Sequence, residues 1–191
     1  MNKKPKFIIE HLEPEIFPWC VIEYEHISET VGKENLVFMN ILSGGKKLEK
    51  FGNVLKSSVK DIKLRSVCVL DPDAKETLTP EIAKKFDAFV FGGILGDYPP
   101  KKRTKDELTK FLPQAKKFNI GKEQMSTDTA VFVVHQILHG KKMKDFVFKD
   151  GVSIPMDEFS SLDLPYRYVL VNGRVWMSSK LIDYLKKKKG F

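Results

Sequence analysis

The sequence predicts an α/β fold with a mainly parallel sheet, and three observations predict it. Short apolar runs such as Lys6-Phe-Ile-Ile-Glu10, Ser66-Val-Cys-Val-Leu70 and Ala88-Phe-Val-Phe91 are continuous rather than alternating, as strands buried on both faces must be. Amphipathic stretches at helical spacing fall between them. The third and fourth of the strands identified below end in loops rich in Asp, Gly and Pro. Together these describe strand–helix alternation.

The elements follow in order. Lys6–Glu10 is the first strand. Pro18 opens a helix at its first turn, where its missing N–H has no partner to lose. Cys20, Tyr24, Ile27 and Val31 then form one apolar stripe, and Gly32 suits the C-terminal cap. Asn35–Leu42 reads as a second strand, and Leu48, Phe51 and Leu55 as a short amphipathic helix. Ser66–Leu70 is the third strand and ends at Asp71-Pro72. A short helix opens near Pro80, and Ala88–Phe91 is the fourth strand. Thr104 caps a brief helix to Phe111, and Lys117–Ile120 is a fifth strand. From Thr127 to His139 Ala130, Val133, Val134, Ile137 and Leu138 mark one face of a helix that Gly140 ends. Beyond residue 141 the pattern changes. Asp145–Pro155 is extended, Asn172-Gly173 signals a hairpin within Tyr166–Trp176, and Ser179–Lys187 is a closing amphipathic helix. The organisation expected is a core over 1–140 with a C-terminal extension over 141–191 packed on the same domain.

With 191 residues, 42% hydrophobic and 30% charged, the chain is long enough for a full core, and no apolar run reaches membrane-spanning length. Cys20 and Cys68 lie in apolar surroundings without a CxxC pattern and read as buried thiols of a reducing cytoplasm. Trp19 and Tyr24 read as core aromatics. His11, His26, His135 and His139 stand in unrelated contexts, so the pattern gives no metal site. The formal charge of +8 permits an anionic partner, RNA included. Only four of the 33 basic residues are arginine (Arg65, Arg103, Arg167 and Arg174), and lysine is the less specific reader of phosphate.

The most unusual stretch is FGGILGDYPP, residues 91–100, with Gly92, Gly93 and Gly96 directly after a buried strand. Glycine supplies both a missing side chain and inexpensive positive φ, which suits a loop that a ligand approaches closely. In parallel sheets ligands bind beyond the carboxyl ends of strands. Three loops belong there: Leu70–Asp73, the glycine loop, and Ile120–Thr129. Neither GxGxxG at a strand–helix junction nor GxxxxGK[ST] is present, so the loops are not an ordinary nucleotide fingerprint.

FGGILGDYPPKKRT (91–104) with QMSTDTA (124–130), and with FIIEHLEP (7–14), VCVLDP (67–72) and LPYRYVL (164–170), resembles the SPOUT-domain protein arginine methyltransferases over nearly the whole chain. These eukaryotic proteins modify a small-subunit ribosomal protein, and archaeal relatives were predicted as RNA methyltransferases. The resemblance implies a SPOUT-type α/β knot, with helices on both faces of the sheet and a deep trefoil, holding bent S-adenosyl-L-methionine. It implies cofactor contacts from Leu70, Asp71, Gly92, Gly93, Ile94, Leu95, Gly96, Ile120, Gly121, Gln124, Met125, Thr127 and Thr129, with Leu70, Ile94, Ile120 and Met125 walling the adenine.

For an arginine acceptor, a carboxylate must orient the guanidinium and accept a proton during transfer. Asp97 and Glu10 are the catalytic candidates, and Asp128 ranks behind them. Arg103 and Arg167 either orient carboxylates or touch substrate. The implied partner is a ribosomal protein, with a monomer favoured over a homodimer. RNA on the same cofactor fold is the alternative acceptor. A basic ribosome-binding factor without activity is a third reading, because fold alone does not prove activity.

Overall fold

The computed structural model describes residues 4–62, 66–96, 99 and 101–188. The main sheet has six parallel strands in the order β3-β2-β1-β5-β4-β6. They are β1 (Lys6–His11), β2 (Leu36–Met39), β3 (Asn53–Val54), β4 (Val67–Leu70), β5 (Ala88–Gly93) and β6 (Lys116–Phe118). β1 and β5 lie at the centre, so their residues are buried on both faces, which explains the unbroken apolar runs.

Phe7, Ile9, Phe89 and Phe91 pack toward α1 (Pro18–Val31) and α3 (Thr127–Leu138), with the short α2 (Pro80–Ala83) at the same layer. Ile8, Val69 and Val90 face the other way. That second face is covered by a 3₁₀ turn at Val59–Asp61 and by a π-helical and then a 3₁₀ turn over Thr104–Phe111, contributing Val59, Leu108 and Leu112.

Two expectations need correction. Leu48, Phe51 and Leu55 do not share a helix. A 3₁₀ turn at Gly45–Lys47 buries Leu48 and Phe51 compactly, and Asn53–Val54 then joins the sheet edge. Gly52 forces this, since a Cβ there would lie 2.7 Å from the Leu36 carbonyl oxygen. The second strand is also shorter than Asn35–Leu42. It stops before Asn40, which adopts φ 61° and donates from Nδ2 to the His11 carbonyl at 2.7 Å.

Gly92 and Gly93 are the last residues of β5, and neither they nor Gly96 adopt positive φ. Space, not left-handed backbone, selects glycine there. A Cβ on Gly93 would meet the Tyr24 hydroxyl at 2.4 Å and Ile9 Cγ2 at 2.9 Å. The Tyr24 hydroxyl sits there because it hydrogen-bonds His11 Nδ1 at 2.8 Å.

The C-terminal residues form an antiparallel sheet of β7 (Val147–Pro155), β8 (Ser161–Val171) and β9 (Arg174–Val175), followed by α4 (Ser179–Lys188). Asn172 at φ 51° and Gly173 at φ 75° make the tight hairpin turn the sequence signals. The alternating side chains Leu164, Tyr166 and Tyr168 of β8 pack with Trp19 of α1 and with Leu181 and Leu185 of α4.

Gly93→Ala is expected to destabilise the fold by about 1–3 kcal/mol through overpacking, and Tyr24→Phe in the same chain should recover part of that loss in urea denaturation. Burial pushes both thiols, Cys20 and Cys68, up to about 12. Alkylation at pH 8 should therefore be at least about 100-fold slower in the native protein than in the urea-unfolded chain.

Candidate active site

A cleft of about 420 Å³ opens at the carboxyl ends of β4, β5 and β6. That volume is within the range of small-molecule sites. Leu70–Asp73 forms one wall, Gly92, Ile94 and Gly96 a second, and Ile120–Met125 with Thr127 and Ala130 a third. Lys101–Lys105 closes the rim.

Each wall is held by polar contacts that the loops supply. Asp71 is buried and accepts from the Asp73 N–H at 2.9 Å and the Thr109 hydroxyl at 2.8 Å, which fixes the first loop. Asn119 accepts from the Gly121 N–H at 3.1 Å and donates to the carbonyls of Ala74 and Glu76, which fixes the third. Gly121 adopts φ 105°, the one cleft glycine that needs the left-handed half of backbone space. Glu13 accepts from the Leu95 N–H at 2.9 Å and from Arg103 Nη1 at 2.7 Å, and Glu107 accepts from Arg103 Nε at 2.7 Å. Arg103 thereby orients internal carboxylates. Those contacts, with Glu107 first, hold its guanidinium more firmly protonated than usual.

The C-terminal sheet clasps the same loops. The Tyr166 hydroxyl donates to the Gly96 carbonyl at 2.9 Å, and the Arg167 N–H donates to the Gln124 carbonyl at 2.8 Å. The Arg167 side chain is held in two bonds by Asp150, at 2.6 and 2.8 Å. Gly96 is bare for this reason: a Cβ would meet Gln124 Nε2 at 2.0 Å and Tyr166 Cε1 at 2.4 Å.

Of the residues expected to bind a cofactor, Leu70, Asp71, Gly92, Ile94, Gly96, Ile120, Gly121, Gln124, Met125 and Thr127 line the cleft. Gly93, Leu95 and Thr129 lie outside its lining: Gly93 faces Tyr24, Leu95 packs into the core, and Thr129 is buried in the first turn of α3. Glu10 is fully buried at the end of β1, on the side of Val59. Its carboxylate accepts from the Ser58 hydroxyl and, at 3.0 Å, from the Val59 N–H. Burial raises its pKa despite those bonds. Asp97 lies outside the described residues.

Two features of the site, and one buried carboxylate outside the cleft lining, escaped the sequence reading. Glu13 acts through partners distant in sequence, as does Asn119 apart from its bond to Gly121, and no motif marks either. Glu23 could have been found. It sits at i+3 from Cys20, inside the apolar stripe of α1, and a carboxylate in a buried stripe needs a reason.

The cleft fits an adenosyl group. Phe91, Ile94, Ile120, Met125 and Ala130 give apolar walls. Gln124 Nε2 is a buried donor with no hydrogen-bond partner among the described residues, so a ligand acceptor would satisfy it.

Residues 6–190 match the family described as SFM1-like protein arginine N-methyltransferases. A curated relative from Saccharomyces cerevisiae, protein arginine N-methyltransferase SFM1, is 34% identical, covering 95% of this chain and 94% of its own length. The crystal structure of the yeast arginine methyltransferase SFM1 complexed with SAM superposes with a TM-score of 0.88 at 34% identity, over 97% of this chain and 91% of that one. A Trm10 structure from Thermococcus kodakaraensis, at 17% identity and TM-score 0.59 over 74% of this chain and 95% of that one, shares the fold. The mainly parallel sheet and these neighbours place the chain in the SPOUT fold class.

Arg103→Met removes the cation shared by Glu13 and Glu107. With the pair partly exposed, unfolding free energy should drop by about 1–3 kcal/mol, between the values for surface and buried pairs, as read by denaturant titration.

Proposed function

The chain belongs to the SFM1-like family of protein arginine N-methyltransferases, and from that membership we propose that its acceptor is an arginine of a small-subunit ribosomal protein. It is an S-adenosylmethionine-dependent methyltransferase. The observation that carries the reading is the family match across residues 6–190, on a chain whose three strand-end loops form one adenosyl-sized cleft.

S-adenosylmethionine supplies the methyl group as an activated sulfonium. The protein's share is positioning and exclusion of water. Leu70, Ile94, Ile120 and Met125 wall the adenine, backbone groups of the Gly92–Gly96 and Ile120–Met125 loops supply polar contacts, and Gln124 offers its unpartnered amide. Gly93, Leu95 and Thr129 support those loops from behind. Asp97 and Glu10 remain in the proposal as carboxylates of the glycine loop and of the β1 end.

The trefoil threading implied by the family is part of the same reading. It is supported by the return of the chain from β6 at the sheet edge to the end of β5, where the Thr127 hydroxyl reaches the Gly92 carbonyl at 3.5 Å. The extension over 141–191 is proposed to complete a site that one chain supplies by itself, which favours a monomer; a cytoplasmic location is proposed separately, from the two unpaired thiols. The extension's contacts at Gly96 and Gln124 support its role.

One observation favours RNA as an alternative acceptor: Lys101, Lys102, Lys105 and Lys122 all stand in the cleft lining. Transfer of labelled methyl into a ribosome fraction, divided between RNase and protease treatment, separates the two. Label surviving RNase and recovered as methylarginine is expected. Label lost to RNase would move the assignment to RNA.

A further inference from the structure

The face of the main sheet opposite α1 and α3 carries a surface that methyl transfer does not use. Two runs of turns lie side by side there, Val59–Asp61 and Thr104–Phe111, with Val59, Leu108 and Leu112 buried beneath them. Phe111 ends the second run and is 50% exposed. Lys60, on the first, brings its Nζ to 4.5 Å from the centre of that ring, and Lys110 brings its own to 5.0 Å. Neither lysine has an ion pair among the described residues.

A single exposed aromatic needs no explanation. The combination does: an exposed ring, two ammonium groups against it without carboxylate partners, and the charge around them. Residues 101–117 hold seven basic side chains and two acidic ones, and Glu107, one of the two, is already bonded to Arg103. That stretch carries +5 in a chain of +8. Its backbone is also held in place. The Thr109 hydroxyl donates to Asp71 at 2.8 Å, and Glu10 accepts from Ser58 and Val59 under the turn that bears Lys60. The ring thus stands on a fixed base, while the lysines reach it on flexible four-carbon stems.

We propose that Phe111, Lys60 and Lys110 form a docking platform for single-stranded nucleic acid. One base stacks on the ring, and the phosphates on either side of it take the two ammonium groups. A base inside a duplex has no free face to offer, so the strand must be single. An acidic protein or a phospholipid surface would meet the charges but bring no planar group to the ring. Lysine has no rigid fork with which to read a base edge, so the platform is tolerant of sequence. It stands beside the cleft and not inside it. Lys105, in the same run of turns as Phe111, is on the cleft rim, and Asp71, which accepts from Thr109, is on the first wall, whereas Phe111, Lys60 and Lys110 are outside the lining. A strand held there leaves the cleft open to a protein acceptor and serves as an anchor, not as the group methylated.

Fluorescence anisotropy of the full chain with a labelled oligouridine of about 12 nucleotides, repeated across a salt series, tests this. The log–log salt slope of the wild-type binding constant is expected at about −1.4 to −2.8, as for two to four phosphate contacts. Phe111→Ala should weaken binding roughly tenfold at an unchanged slope, and Phe111→Trp should restore it. The double variant Lys60→Ala, Lys110→Ala should make the slope shallower by about 1.4. All three should bind S-adenosylmethionine as wild type does, which shows that the fold is intact. Unchanged affinity in Phe111→Ala would overturn the platform. So would an unchanged slope in the lysine variant, which disturbs no packed side chain. Equal affinity for polyglutamate of matched charge, or for duplex RNA of the same length, would overturn it as well, since the surface would then attract anions without stacking a base. None of these outcomes touches the arginine-transfer reading, because none measures methyl transfer.

Discussion

The end of β5 must be bare of side chains, and the rest of the molecule is arranged around that constraint. Tyr24 of α1 occupies the space where a Gly93 Cβ would be, and Gln124 with Tyr166 occupies the space at Gly96. Protein atoms therefore hold the loop from two sides before any ligand arrives. A loop held in this way needs little reordering on binding, and lost conformational freedom is a principal cost of binding. Glycine thus serves rigidity here, through contact, although it is the most flexible residue in an unfolded chain.

This constraint also explains why the C-terminal sheet cannot be a loose appendage. Its side chains Leu164, Tyr166 and Tyr168 continue the apolar cluster begun by Trp19, and main-chain bonding at Arg167 closes over the Gln124 loop. Removing the sheet would strip a cover from α1 and a support from two cleft loops at once. The strands β7–β9 with α4 pack against α1, and β8 also bonds to Gly96 and Gln124, although these segments lie far apart in sequence.

Most of the fold was legible because its signals are local. Continuous apolar runs gave β1, β4 and β5; a stripe with proline before it and glycine after it gave α1; Asn172-Gly173 gave the hairpin. Failures occurred where a short segment met a distant backbone. Leu48, Phe51 and Leu55 carry a helical spacing that a glycine-bounded turn satisfies equally well, and only the approach of Gly52 to Leu36 decides between them. At the site, the three loops were readable from strand-end position and glycine content. The reason for the glycines was not, because Tyr24 and Tyr166 reach them from 69 and 70 residues away in sequence (93 − 24 and 166 − 96). Alternation along β1 puts Glu10 on the Ile8 face, yet its partners Ser58 and Val59 come from a loop no periodicity describes.

Charge placement bears on the choice of acceptor. The cleft rim carries lysines, but Arg103 and Arg167 are committed to carboxylates of the chain itself. Lysine attracts a polyanion without reading its geometry, whereas planar, bidentate recognition of phosphate depends on arginine. The lysine rim therefore attracts anions in general without selecting one acceptor, and the family match is what weighs toward an arginine side chain.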